Sequence, residues 1–187
     1  MKKQPQITES TRKDFILAFC EFYRQMPIEK ISVKDVAEKA GYSRVTFYNY
    51  FNDIYDLLNY IEDDFISRFE NDISNNISRS LELNSLVFSL DKLLSDHELY
   101  TSVLLTNPHS IQFFGRLKDR VIPLALNHFG IPPDDTKTKY TLELYITGII
   151  SILRTWIKND KDLPAAALVE LIKESINSGI KFQNTPN

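Results

Sequence analysis

The chain has 187 residues, 43% of them hydrophobic, and its 22 Lys and Arg against 25 Asp and Glu give a formal net charge of −3. That length and apolar content can bury a core in one or two modest domains, which excludes a disordered chain. A single cysteine, Cys20, excludes a disulfide framework within the chain and suits a reducing compartment. The average charge hides an asymmetry: residues 1–51 hold nine Lys and Arg against six Asp and Glu, leaving thirteen against nineteen for residues 52–187. A basic N-terminal end fits a polyanionic partner, and an acidic remainder fits a domain that contacts no phosphate.

No alternating Val/Ile/Thr run bounded by turn dipeptides occurs, so an all-α fold of about nine helices is expected. The first spans about Glu9 to Met26, with Phe15, Phe19, Phe22 and Met26 as its apolar stripe. Ser32 and Asp35 form a capping box that starts a second helix near Val33, and Val36, Ala37 and Ala40 give it an apolar side. Gly41 then offers the left-handed residue a helix C-terminus favours. Ser43 caps a third helix whose Phe47 and Phe51 face inward, leaving Arg44, Val45, Tyr48 and Asn49 on the opposite side. Capped helix, glycine turn and second helix with a polar outer face make the pattern of a DNA-reading helix-turn-helix.

A long fourth helix is expected over 53–80, carrying Leu57, Leu58, Ile61, Phe65 and Phe69, and shorter ones over 85–95 and 97–106. Asn107 and Pro108 end that pair, and a helix over 110–129 closes at Gly130. The last two span about 135–158 and from Pro164 to Gly179. The division this suggests is an N-terminal helix-turn-helix DNA-binding domain at 1–52 and a C-terminal helical domain at 53–187. The start, MKKQPQITES, has no apolar segment behind its lysines, so no secretory signal is expected. The longest apolar run, Leu144 to Leu153, is too short to span a bilayer, and a cytoplasmic protein without a membrane partner is expected.

With these residues in place, the chain resembles the TetR/AcrR family of bacterial one-component transcriptional regulators. The resemblance covers roughly fifty residues: the first helix, Ile31 to Ala40, the AGYS turn at Ala40 to Ser43, then Thr46, Phe47, Tyr48, Tyr50 and Phe51, followed by Leu57 and Leu58. Leu99 to Asp119 and Gly148 to Asp160 resemble a C-terminal domain found in a subset of the family in Gram-positive bacteria. The chain departs from the family pattern at Val45, where Gly or Pro is frequent, and at Ile54, where a Lys commonly approaches a DNA phosphate.

The candidate DNA-binding residues are Lys34, Ser43, Arg44, Val45, Thr46, Tyr48, Asn49 and Tyr50. Arg44 can bridge O6 and N7 of guanine or pair with a phosphate, and Asn49 can pair with adenine. Thr46 can meet a thymine methyl or a phosphate, and Ser43 can both cap its helix and present that helix's amides to a phosphate. By resemblance, Lys34 reaches the same groove and Tyr48 contacts a phosphate. For Tyr50 a phosphate contact and packing against the first helix are both open.

Catalysis and metal binding find no pattern. His97, His109 and His128 lie apart, no CxxC, HExxH, GxSxG or glycine-rich phosphate loop occurs, and the neighbours Asp63 and Asp64 point different ways on a helix. No cofactor is expected, and Cys20 reads as a buried inert thiol. The resemblance implies a homodimer joined by the last two helices, a palindromic double-stranded operator, and repression relieved by a small apolar or aromatic effector held by Tyr and His side chains. Alternatives are the same fold as an activator or a protein-gated regulator, a purely helical interaction module, and an enzyme.

Overall fold

The computed structural model describes residues 5–77, 103–105, 111–128, 132 and 134–179. The described residues contain only helices, turns and irregular segments. The helix expected over 85–95 lies outside them, and the one expected over 97–106 is described only at 103–105, which is helical. Two compact units divide the chain, Met1–Phe65 and Ile66–Asn187.

The first unit contains α1 (Pro5–Tyr23), a 3-10 turn (Ile28–Lys30), α2 (Val33–Lys39), α3 (Arg44–Tyr48) and the opening half of α4 (Ile54–Ile77). α1 ends earlier than its apolar spacing suggests. Pro27 disfavours helical backbone at Met26, so the chain leaves the helix after Tyr23 and enters Pro27 in extended conformation. The buried stripe shifts accordingly: Phe15, Phe19, Cys20 and Tyr23 face the core, while Phe22 and Met26 are only half-buried. Phe15, Phe19, Phe47, Leu57, Val36 and Cys20 are sealed from solvent at the centre. Burial pushes the Cys20 thiol up to about 12, so it is protonated and unreactive at neutral pH.

α4 begins on a side-chain cap. The Asp56 amide donates to Asp53 Oδ1 (2.8 Å), and the Asp56 carboxylate accepts from the Asn52 backbone amide (2.8 Å) and side-chain amide (2.9 Å).

The second unit contains the rest of α4, then α5 (Ile111–His128), α6 (Thr136–Lys158) and α7 (Ala165–Gly179). α5 is held to α4 by Arg120, whose Nε and Nη2 each donate to one oxygen of Glu70 at 2.6 Å, a bidentate pair that fixes orientation as well as distance. α5 continues through Pro123, which is exposed and supplies no amide to the Asp119 carbonyl. Leu126 and Leu142 pack together with Ile122 and Ile146 between α5 and α6, and Lys118 pairs with Glu143 across the same helices. Asp135 caps α6, and its hydrogen bonds from the Thr138 hydroxyl and amide hold its carboxyl below the usual range. The α6–α7 turn places Asp160 and Lys161 in left-handed conformation, and Trp156 Nε1 closes it by donating to the Leu163 carbonyl (2.7 Å).

Candidate nucleic-acid interface

Two capped helices and the turn between them build the candidate surface. Ser32 accepts the Asp35 amide at 3.1 Å, and its hydroxyl donates to the Asp35 carboxylate at 2.6 Å, so the expected box closes through the hydroxyl. α2 buries Val36 and Ala37, while Ala40 is half-exposed at the turn. Gly41 has φ +80°, a conformation costly for any residue with a Cβ, and the Gly41 and Tyr42 amides return to the Glu38 and Ala37 carbonyls. Ser43 then accepts the Thr46 amide at 3.1 Å and starts α3.

α3 proper is a single turn and a half, but the Tyr50 and Phe51 amides both bond to the Phe47 carbonyl and carry the helical path one step further. Phe47 and Phe51 are thereby drawn inward against Phe15, at ring separations of 5.3 and 6.4 Å. The opposite side stands in solvent. Val45 is 73% exposed and Tyr48 57%, with Arg44 and Asn49 exposed beside them. Arg44 and Asn49 have no side-chain partner among the described residues, so their donors and acceptors are available to a ligand.

The other expected residues have more specific settings. Thr46 is half-buried and shares a 3.0 Å hydrogen bond with the Ser43 hydroxyl, which occupies part of both groups' capacity. Lys34 is exposed and meets Glu38 at 3.9 Å, a surface pairing worth only about 0–1 kcal/mol and so easily exchanged for another anion. Tyr50 turns the other way: its ring lies 5.9 Å from Phe15 and under the Arg12 guanidinium, packed toward α1.

Three features were not apparent from spacing. The Tyr42 hydroxyl donates to Asp14 at 2.9 Å, and its ring lies 5.2 Å from Phe15, tying the turn to α1. Ile54, where the resemblance expects a phosphate-approaching Lys, is buried, and the exposed residue at that helix start is its neighbour Tyr55. Finally, the basic excess of residues 1–51 does not extend through the compact unit, because Asp53 at the start of α4 and Asp56, Glu62, Asp63 and Asp64 on it follow. Positive potential on this unit therefore depends on the local placement of Arg44 and Lys34.

Of the histidines, His97 and His109 lie outside the described residues and His128 ends α5. Among the described residues no group of three His, Cys, Asp or Glu could hold a metal, and no helix is long and apolar enough to cross a membrane.

Residues 21–61, which include the candidate surface, match the sequence family described as bacterial regulatory proteins, tetR family. No curated protein matches in sequence. Solved structures share the fold over most of the chain. The fatty acid degradation regulator FadR from Bacillus halodurans superposes with a TM-score of 0.76 at 17% identity, over 97% of this chain and 99% of that one. The dihydroxyacetone kinase operon activator DhaS gives 0.59 at 20% identity, over 90% and 97%. The TetR family repressor AlkX from Dietzia sp. strain DQ12-45-1b gives 0.53 at 19%, over 88% and 94%. Residues 21–61 thus carry the sequence pattern of the tetR family of bacterial regulatory proteins, and the chain shares its all-helical fold with solved regulators.

Proposed function

We propose that the chain is a cytoplasmic homodimeric repressor that binds a palindromic operator through residues 1–52 and is released by a small effector held in residues 53–187. The observation that carries this reading is the outward set Arg44, Val45, Tyr48 and Asn49, presented on a capped helix whose other side is locked into an aromatic core. Ser43, Thr46, Lys34 and Tyr50 flank that set, with Lys34 nearest in kind to a phosphate ligand. A purely structural role for α3 leaves the exposure of Val45 and Tyr48 without a reason. DhaS is an activator and AlkX a repressor, so the fold serves both signs, and the operator tests below do not depend on which applies.

Arg44→Ala is expected to cost about 1–3 kcal/mol of operator affinity and to relax preference at one base position. Tyr48→Phe, which removes a hydroxyl suited to phosphate, is expected to weaken all duplexes alike. Titrations of both variants against a set of single-base operator variants separate these outcomes. Equal loss across all bases for Arg44→Ala would assign that residue to the backbone.

Support for dimerisation comes from α6, α7 and the turn between them, where Tyr140, Leu144, Leu163 and Leu171 are between 44% and 72% exposed. Gly148 lies on the same helix, and a Cβ built there meets nothing within 4 Å of the single chain, which leaves room for a second helix to approach. Sedimentation at micromolar concentration is expected to give a dimer of twice the 21.7 kDa chain, and Gly148→Leu is expected to weaken it. A monomer would remove the two-half-site mechanism.

FadR is a regulator of fatty acid degradation and AlkX is implicated in the biodegradation of n-alkanes, which favours an effector with an apolar body. The Arg120–Glu70 pair gives such an effector a lever, since a shift of α5 pulls on α4. To release operator, the effector must prefer the non-binding conformer, with couplings of about 1–3 kcal/mol.

A further inference from the structure

A groove of about 790 Å³ runs between α5 and α6, within the size range of small-molecule sites of about 300–1,000 Å³. Phe114 and Ile150 give it an apolar floor, and Gly115 keeps the α5 wall low. Its described lining also carries polar groups. They are three cations, Lys118, Arg154 and Lys158, with the hydroxyls of Thr147, Ser151 and Thr155.

The cations differ in what satisfies them. Lys118 is paired with Glu143, whose carboxylate also accepts from Thr147 at 3.5 Å. Arg154 lies over the Phe114 ring at 5.4 Å, a contact that uses the face of the guanidinium and leaves its N–H edges unbonded among the described residues. Arg154 and Lys158 have no acidic partner among the described residues. They sit four apart on one helix, a like-charge spacing that costs stability rather than adding it. Lys158 closes α6, where a helix C-terminus favours a cation, but Arg154 is a turn earlier and lacks that reason. Thr155 donates to the Ser151 carbonyl at 3.1 Å, whereas the Ser151 hydroxyl makes no bond among the described residues.

We infer that this groove binds an amphipathic anion, with a carboxylate or phosphate head between Arg154, Lys158 and Ser151 and an apolar body along Phe114 and Ile150. The inference rests on the effector reading above and narrows it to a charged ligand class. An anion there neutralises the repelling pair and meets the open guanidinium edge, which takes a planar carboxylate or a phosphate two-pronged.

The test uses the full chain, with calorimetric titration of decanoate, decyl phosphate, decanol and inorganic phosphate, each below any micellar concentration. Both decyl anions are expected to bind about tenfold or more tightly than decanol, and inorganic phosphate more weakly than either. The ratio of decanoate to decyl phosphate assigns the head group. The Arg154→Gln, Lys158→Gln double variant is expected to lose about tenfold or more of anion affinity while decanol binding and free-state operator affinity stay unchanged. Equal binding of decanol and the anions, or anion affinity untouched in the double variant, overturns the inference. So does dissociation of the dimer in that variant with no anion bound by the parent, which would assign the groove to a second copy of the chain. Anion binding that leaves operator affinity unaltered keeps the site but removes its role as the effector site. A head that fails to bind operator in the parent chain is a separate failure, of the regulator reading itself.

Discussion

Operator affinity is expected to fall by about 10³ or more when salt rises from about 50 to 200 mM, with about six or more phosphates neutralised per dimer. The prediction is stringent for this chain, since neither its net charge of −3 nor the compact unit bearing α3 is basic overall. Affinity has to come from cations placed at the interface, and Arg44 and Lys34 are two of those from each chain. Charge repulsion from α4 carboxylates such as Asp63 and Asp64 weakens non-specific association, so random duplex is expected to bind poorly even at low salt. Anisotropy titrations across a salt series give the slope directly. A flat dependence would mean that phosphate contacts do not drive the complex.

Phe47→Ala is expected to cost about 3–5 kcal/mol, against the total of about 5–15 kcal/mol typical of a small domain. Phe47 is fully buried and meets the rings of Phe15 at 5.3 Å and Phe51 at 5.6 Å, so truncation opens a cavity at the centre of an aromatic cluster. The surface carrying Arg44 and Tyr48 is the reverse side of the same turn, and this packing sets its position on the head. Operator binding is therefore expected to disappear with the fold of the head, while Phe47→Leu, which keeps most of the volume, retains much of both. Urea unfolding of the two variants beside the parent reads the effect. A loss below about 1 kcal/mol for Phe47→Ala would contradict the burial of that ring.

The residues that announce their role locally are the ones sequence reasoning places well. Ser32, Gly41 and Ser43 act on amides within a few positions of themselves, so caps and turn are readable from spacing alone, and with them the outward set on α3. Asp135 and Pro164 mark the starts of α6 and α7 for the same reason. What spacing misses is decided by tertiary partners or by competing periods. Phe22 and Tyr23 both fit a helical stripe with Phe15 and Phe19, and tertiary packing buries Tyr23 and leaves Phe22 half-exposed. Tyr42 and Asp14 are 28 residues apart, and Glu70 and Arg120 are 50 apart, so neither contact leaves a local signal. The groove cations were hidden in the same way. Arg154 looks like the polar border of an apolar helix until Phe114 is seen beneath it and no carboxylate beside it among the described residues.

The most direct measurement is an anisotropy titration of the full chain against the DNA flanking its own gene, including any inverted repeat, beside a shuffled duplex of the same length and composition at one fixed salt concentration. A sequence-specific regulator is expected to bind one flanking site about 10³-fold or more tightly than the shuffled duplex, with two chains per site. Equal affinity for every duplex would contradict it.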